Sequence, residues 1–413
     1  MANPEHLDIL RQGVGVWNAR RKENGDARSI SDVPGEPMDL RNPNLFEAEL
    51  SGASLGSAEL GRADLRAAKL AAADLREAKL FGANLREADL RQAFLRDAYL
   101  RGAELSHANL RGVYGRSANF IGANLADADF TDADLSGAVF FCSDLRRANL
   151  ERCLLMGAFL REAYLGGANL READLRSADL QEASLLGANL TACDLRDTGL
   201  VRAKLAGADL QGANLGSADL RSASLRGAKL HGALMAGARL DRADLQDVSG
   251  ASGVAVKAAR NWLFAFYSEP LLMELGLPAD HNARVLESNF RGQQLPGLAL
   301  QGLELASSDF SEADLRGAKL LSSNFADASF AQAQLDGADF TDTFLTATDF
   351  TRASLRGAQF AEADLTEAYL FGAELHGADL SRAAGVTWDQ IVQASGDALT
   401  LLPTLIPRPA HWT

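Results

Sequence analysis

The stretch 63–90, ADLRAAKLAAADLREAKLFGANLREADL, has an apolar residue at every fifth position. The same spacing runs from Leu40 to Leu245 and again from Phe290 to Leu380, and Leu or Phe occupies 59 of its 61 positions. A five-residue period fits neither an α-helix nor a regular β-strand. It therefore indicates a tandem repeat with a geometry of its own.

Each repeat also has an internal pattern, which Ala73-Asp74-Leu75 illustrates. A small residue, usually Ala, precedes the Leu or Phe by two positions, and Asp or Asn usually lies between them. Residues two apart in an extended chain point to the same side, so the Ala and the Leu should face inward and the Asp outward. The remaining two residues, often polar or Gly, suit a turn. Each pentapeptide is therefore predicted to be a very short strand followed by a corner.

Phenylalanines indicate how many pentapeptides make one coil. Phe290, Phe310, Phe330 and Phe350 recur every 20 residues, so four pentapeptides per coil would stack these rings on one another. With coils about 4.8 Å apart, the two repeat blocks would be about 50 Å and about 23 Å long. The sequence therefore predicts an all-β solenoid with 20 residues per coil.

The repeats ADLRE (73–77), ANLRE (83–87) and ADLSG (133–137) fit the consensus A(D/N)LXX. In this respect the chain resembles the pentapeptide-repeat family over about three quarters of its length. The resemblance implies a right-handed quadrilateral parallel β-helix. It extends to a helix that precedes the repeats and to the C-terminal tail, since both are similar to segments found in the family.

Non-repeat segments flank and interrupt the repeats. Residues 3–24 are predicted to form one amphipathic helix, and Thr387 and Gln390 have capping-box spacing. Such segments can cover the unpaired backbone groups at the ends of a solenoid. We expect, in order, an N-terminal helical cap (1–38), a first β-helix block (39–247), a helical insertion (248–289), a second β-helix block (290–382) and a C-terminal helix and tail cap (383–413).

Composition excludes several classes of function. The formal net charge is −14, which argues against direct binding of nucleic acid to a basic surface. No apolar stretch of about 18 residues is present, so no membrane span is expected. The first residues, MANPEHLDILRQG, lack the basic and apolar regions of a secretory signal. We therefore expect a cytoplasmic protein, and its family resemblance suggests a bacterial one.

The sequence offers no pattern of catalytic or metal-binding residues. Six histidines are scattered without metal-ligand spacing. Cys153 and Cys193 should face inward and Cys142 outward, which favours neither a disulfide framework nor a zinc site. No catalytic residue, cofactor or metal is predicted, and the chain is expected not to be an enzyme.

A cluster of apolar residues at outward positions is the strongest candidate for a functional surface. Outward positions of these repeats are normally polar, and an exposed apolar cluster commonly marks an interface. Alternatively, the caps or the insertion cover these side chains, or they are merely scattered. The chain is expected to be a monomer, or a dimer through this lateral patch. The candidate residues for partner binding are Phe94, Tyr99, Tyr114, Ile121, Val139, Phe141, Leu154, Met156 and Phe159.

The family resemblance also raises a second function. Some pentapeptide-repeat proteins bind DNA gyrase or topoisomerase IV by imitating DNA, and thereby protect the enzyme from quinolones or toxins. Duplex DNA carries one charge per about 1.7 Å, so the second block would need about 14 negative charges. Residues 288–382 have 14 acidic and 6 basic side chains, and residues 39–247 have 29 and 26. The leading prediction is therefore a protein-binding scaffold with an unknown protein partner, and a gyrase or topoisomerase IV protector is the alternative.

Overall fold

Parallel pairing at a spacing of 20 residues dominates the computed structural model, which describes residues 3–23 and 39–412. In the regular coils, the outward residue of each pentapeptide bridges the residue 20 positions later, as Phe94 does with Tyr114. Leu95 N donates to Tyr114 O at 2.8 Å, and Tyr114 N donates to Ala93 O at 3.0 Å. The predicted period of 20 residues is therefore confirmed.

Four columns of bridged residues run along the first repeat block, and two-residue turns separate them. Column 1 begins at Asp39, column 2 at Asn44, column 3 at Glu49 and column 4 at Ser54, and each continues every 20 residues. The second residue of each turn has a positive φ, such as 60° at Gly82. Glycine adopts this left-handed conformation without steric cost, which explains why it is common at this position.

Regular strands are short in the described part of the chain and comprise β1 (Asp244–Leu245) and β2 (Phe266–Tyr267). Most of the remaining pairing consists of isolated parallel bridges. A turn interrupts each pentapeptide, so only one residue per repeat is left to form a bridge. The β-structure of the repeats thus consists of single bridges and not of the extended strands of a regular sheet.

The inward side chains form the core of each repeat block. The central Leu and Phe residues and the preceding small residues are almost all buried. Phe290, Phe310, Phe330 and Phe350 stack with successive centroid distances of 5.0, 5.2 and 5.4 Å. The inward Ala–Leu pattern and the stacked phenylalanines are therefore confirmed.

The N-terminal segment differs from its prediction. It contains α1 (Pro4–Arg11) and α2 (Val14–Glu23) where one helix was predicted over 3–24, because Gly13 adopts a φ of 108° between them. Residues 24–38 of the predicted cap lie outside the described residues.

Helix α2 covers the first bridged residue of column 4. Asn18 Oδ1 accepts a hydrogen bond from Ser54 N at 2.8 Å, and Asn18 Nδ2 donates to Gly52 O at 2.9 Å. The buried Trp17 adds a bond from Nε1 to Ser54 O at 2.8 Å. These side chains provide partners for backbone groups at the start of the coil stack, as expected of a cap.

The predicted insertion contains α3 (Gly253–Lys257), a 3-10 helix (Trp262–Phe264), α4 (Glu269–Leu275) and α5 (His281–Glu287). Parallel bridging continues beyond the predicted boundary at residue 247, since Arg239 bridges Arg260. Phe264 and Tyr267 of this segment are buried and belong to the core.

The C-terminal segment begins with α6 (Trp388–Ile391), whose predicted capping box between Thr387 and Gln390 is confirmed. Gln390 Nε2 donates to Leu365 O at 2.9 Å, and Thr400 Oγ1 donates to Leu375 O at 2.9 Å. These bonds pair backbone carbonyls of the repeat with side chains of the terminal segment.

The chain divides into two compact units. Unit 1 comprises Met1–Trp262 and Tyr267–Leu275, and unit 2 comprises Leu263–Phe266 and Gly276–Thr413. The division therefore falls inside the predicted insertion. The five predicted segments remain a prediction.

Candidate protein-binding surface

The nine candidate residues lie on two neighbouring columns of unit 1 and on the turns beside them. Phe94, Tyr114 and Leu154 belong to column 4, and Tyr99, Val139 and Phe159 belong to column 1. Met156 follows column 4, whereas Ile121 and Phe141 follow column 1. Because columns 4 and 1 are consecutive along the chain, the nine residues form one neighbourhood, which we call the lateral patch.

Most of the lateral patch is exposed. Seven of its residues have 39% to 51% of their surface accessible, and Ile121 and Val139 are half-buried. The alternative that caps or the insertion cover the patch does not apply within the described residues. Exposed rings and aliphatic side chains at outward repeat positions remain available for contact with another molecule.

Aromatic stacking along the columns orders part of this surface. Phe94 and Tyr114 stack with a centroid distance of 5.1 Å and an interplanar angle of 13°. Tyr99 contacts Phe81, a residue that the sequence analysis missed, at a centroid distance of 5.7 Å. Stacked rings lose little further side-chain freedom on binding, which favours an interface.

Two exposed aromatic residues beside the lateral patch were missed because only nearby outward positions were compared. Phe81 is 42% exposed and lies one coil before the patch, in the turn after column 1. Tyr164 is 54% exposed and belongs to column 2. Their occurrence at positions where the repeat usually has Arg, Gly or Asp was the signal that could have identified them.

Polar residues interrupt the lateral patch at its centre. Asn119 lies between Tyr99 and Val139 in column 1, and Asp134 lies between Tyr114 and Leu154 in column 4. Asp134 accepts a hydrogen bond from Arg116 Nε at 2.6 Å. The surface therefore combines apolar contact area with directional polar groups, as protein interfaces commonly do.

A shallow groove of about 330 Å³ adjoins the lateral patch and is lined by Tyr164, Cys142, Asp144 and Arg146, among others. Local desolvation and Glu162, whose Oε2 lies 3.6 Å from Cys142 Sγ, raise the pKa of this exposed thiol. A thiol with a raised pKa is a poor nucleophile at neutral pH. Burial likewise raises the pKa of Cys193 to about 12.

Candidate metal ligands do not cluster among the residues that the structure describes. No group of three or more His, Cys, Asp or Glu residues could hold a metal ion there. No helix among the described residues is long and apolar enough to cross a membrane.

Short-range ion pairs neutralise much of the acidity of unit 1. An Asp in a bridge column pairs with the Arg two residues later, as in Asp64–Arg66 and Asp174–Arg176, at 2.7 and 2.6 Å. The hydrogen bond from the guanidinium lowers the pKa of each carboxyl group. The Asp-Leu-Arg sequence is a recognisable signal for this pairing, which the sequence analysis did not use.

Unit 2 contains fewer such pairs. Asp314 pairs with Arg316 at 2.6 Å, but Asp339 and Asp364 instead accept hydrogen bonds from Thr341 and Thr366. The acidic side chains of its repeat block are therefore less neutralised than those of unit 1.

Comparison with solved structures finds several pentapeptide repeat proteins. HetL from the cyanobacterium Nostoc, which is involved in heterocyst differentiation regulation, is 27% identical over 67% of this chain and 89% of its own, with a TM-score of 0.21. QnrB1, a plasmid-mediated fluoroquinolone resistance protein, is 20% identical over 49% of this chain and 89% of its own, with a TM-score of 0.28. A pentapeptide repeat protein from the Arabidopsis thaliana thylakoid lumen is 30% identical over 26% and 80%, with a TM-score of 0.17. Because these TM-scores lie below 0.5, the superpositions transfer no structural or functional detail to this chain.

A search of curated proteins found no significant match. The sequence profile described as pentapeptide repeats, in contrast, matches eight stretches that together cover more than half of the chain: 44–80, 78–114, 118–157, 158–197, 200–235, 223–249, 308–346 and 348–383. The A(D/N)LXX repeat pattern and the 20-residue bridge period agree with this match. The chain therefore belongs to the pentapeptide repeat family.

Proposed function

We propose that this protein is a non-enzymatic scaffold that binds another protein through the lateral patch. The observation that carries the proposal is the exposure of seven apolar patch residues at outward positions of the repeat. With about 200 Å² per large side chain and roughly half of it exposed, the patch offers on the order of 700 Å². A standard interface buries about 800 Å² per partner.

The proposed architecture suits this function. A right-handed quadrilateral β-helix would hold the patch on a framework in which successive coils are joined by backbone hydrogen bonds of 2.6–3.2 Å, as Phe120 N to Val139 O at 2.7 Å illustrates. Binding of a partner costs less conformational entropy when the binding surface is already ordered in the free protein. The proposed caps at 1–38 and 383–413 would keep the coil ends from pairing with other chains.

The chemistry of the described grooves supports a non-enzymatic role. The groove beside the patch contains a thiol with a raised pKa, and a second groove of about 410 Å³ is lined by Tyr369, Phe371 and Gln390, among others. Neither lining contains a histidine that could act as a general base. Catalysis would need an activated nucleophile or a positioned acid and base.

The acidic repeat block of unit 2 favours a second candidate function. Protection of DNA gyrase or topoisomerase IV by DNA mimicry would draw on the incompletely neutralised carboxylates of residues 288–382. The net charge of this block is −8, from 14 acidic and 6 basic residues, against about 14 negative charges on duplex DNA of equal length. This deficit places DNA mimicry behind protein binding through the lateral patch.

Substitution of two exposed patch residues tests the proposed function. Phe141→Glu with Phe159→Glu places charges on the patch, while the inward core residues stay unchanged. We expect the tagged double variant to lose proteins that the native chain captures from its host, or to lose self-association. Unchanged captured proteins together with an unchanged oligomeric state would contradict the proposal.

A further inference from the structure

We propose that the column 1 side of the lateral patch binds a second copy of this chain, turned antiparallel to the first. This inference rests on the proposed function, because it names the partner for part of the same surface. The side comprises the column 1 residues from Tyr99 to Phe159 and the turn residues that follow them. The column 4 side, with Phe94, Tyr114 and Leu154, remains available for a different protein.

Two charged side chains at opposite ends of this side indicate the partner. Arg101 lies in the turn after Tyr99, and Glu162 lies in the turn after Phe159. Neither has an ion pair within the described chain. Glu162 accepts only a long contact from Cys142 Sγ at 3.6 Å, whereas the neighbouring Arg161 has Asp179 at 3.9 Å. Three coils at about 4.8 Å each separate the two charges by about 14 Å along the coil axis.

An antiparallel twofold arrangement makes these charges complementary. Reversal of one copy brings Arg101 to the level of Glu162 of the other copy, and the symmetry forms the same pair twice. A parallel arrangement leaves the two charges three coils apart. Complementary charges of this kind fix the register of an interface and suppress wrong partners.

The apolar residues between the charges provide the contact area. Tyr99, Phe141 and Phe159 are 41%, 39% and 51% exposed, and the half-buried Ile121 and Val139 lie between them. Aromatic residues and Arg are enriched at protein interfaces. Together with the flanking Met156 and Tyr164, these side chains offer on the order of 500 Å² of exposed surface. Polar side chains and backbone of the same coils would supply the rest of the roughly 800 Å² per partner that a standard interface buries.

The charge of the whole chain also restricts where two copies can meet. A net charge of −14 makes most approaches of one copy to another repulsive. On this side Arg101 and Glu162 cancel in charge, and Arg161 is offset by Asp179 at 3.9 Å, so the local charge is close to zero. Two copies can therefore approach here with little repulsion and can gain two ion pairs.

Sedimentation equilibrium of the full chain tests the proposed dimer. The native protein should show a mass twice that of the 43.9 kDa chain. Glu162→Arg should weaken self-association at least about tenfold, because it opposes Arg101 of the other copy with a like charge. Adding Arg101→Glu to Glu162→Arg should restore the dissociation constant to within about threefold of native, because the ion pair re-forms with reversed signs.

Glu87→Arg is the matched control. Glu87 and Glu162 occupy the same left-handed turn position, with φ values of 60° and 57°, and both are exposed. Glu87 follows column 2, away from the proposed interface, so its replacement should leave self-association unchanged. Circular dichroism should show the native spectrum for all three variants.

Three results would overturn the inference: a native chain that stays monomeric at its highest soluble concentration, an unaffected Glu162→Arg variant, or a charge reversal that fails to restore association. A monomeric native chain whose Phe141→Glu and Phe159→Glu variant loses a different captured protein would reject the second copy and leave the scaffold function intact. If that variant changes neither captured proteins nor mass, both proposals fail.

Discussion

The ring of Phe94 stacks on the ring of Tyr114, one coil further along column 4, with centroids 5.1 Å apart and planes inclined by 13°. Both rings remain largely exposed, at 42% and 50%. The two rings therefore form a stacked aromatic pair on the surface and do not belong to the core. Stability alone does not require two large apolar side chains at outward positions of this repeat.

Replacing both rings should separate binding from stability. We expect Phe94→Ala with Tyr114→Ala to lower the free energy of unfolding by only about 1 kcal/mol, because the lost ring contact is exposed. Capture of a partner protein should fall at least about tenfold, since buried aromatic residues often dominate binding energy. Thermal melting and quantitative capture measure the two effects. Phe344→Ala, at a ring 59% exposed in unit 2, is the control that should retain capture.

Two adjacent alanines allow a direct test of the repeat geometry. Ala72 is exposed at a turn position with a φ of 54°, whereas Ala73 is fully buried. Ala72→Gly should raise the free energy of unfolding by about 0.5–1 kcal/mol, because Gly adopts this φ without strain. Ala73→Gly should lower it by about 1–2 kcal/mol through lost packing and added chain entropy. Shifts of the same sign in chemical denaturation would contradict the assigned inward and turn positions.

His281 should make unit 2 less stable at mildly acidic pH. Its side chain is buried and Nε2 lies 3.1 Å from Ala265 O, and burial lowers the pKa of the imidazole below its ordinary value of 6.5. The unfolded chain therefore binds a proton more readily than the folded chain, so stability is present above pH 6.5 and is lost as pH falls below it. His281→Gln keeps a hydrogen-bond donor but cannot titrate in this range.

Denaturation of unit 2 between pH 7.5 and pH 5 measures this effect. Native protein should lose more stability over this interval than His281→Gln does. If the free energy of unfolding depends equally on pH in the two proteins, His281 is not the cause of the stability loss at acidic pH.

The repeat sequence predicts closely which side chains of a coil face inward and which form turns. The structure of the segments outside the repeat is less predictable from sequence. Leu75 and Ala73 face inward as expected because a period of five and a fixed small–polar–apolar order leave few alternatives. The break at Gly13 was missed because the apolar pattern runs through both helices, while a single residue with φ 108° changes their direction. The bonds of Asn18 to Ser54 and Gly52 join residues more than 30 positions apart, so no local pattern indicates them.

The candidate surface was predictable to a similar extent. Outward position and apolar type identified Phe94 and Phe159, since the repeat register fixes which side chains reach the surface. Exposure depends also on neighbouring side chains, so the half-buried Val139 could not be distinguished from the exposed Phe159. The pairing of Arg116 with Asp134 depends on side-chain conformation across two coils, which residue type alone does not specify.

The deficit of negative charge predicts a negative result with DNA gyrase. Purified full-length protein should not relieve quinolone inhibition of gyrase supercoiling, because residues 288–382 have a net charge of −8 and DNA of equal length has about 14 negative charges. A gel assay across a range of protein concentrations measures this. Protection that rises with protein concentration would instead favour the topoisomerase-protecting function.

Hydroxyl-radical footprinting of the protein isolated with its bound partner tests whether the lateral patch binds another protein. Radicals label exposed aromatic and Met side chains, so the experiment compares each side chain in the complex and in the separated full chain. Labelling of Phe94 and Tyr114, on the column 4 side of the lateral patch, should fall in the complex, while labelling of Tyr369, 60% exposed in unit 2, stays unchanged. Unchanged labelling of the lateral patch, together with protection of Tyr369, would contradict binding through the patch.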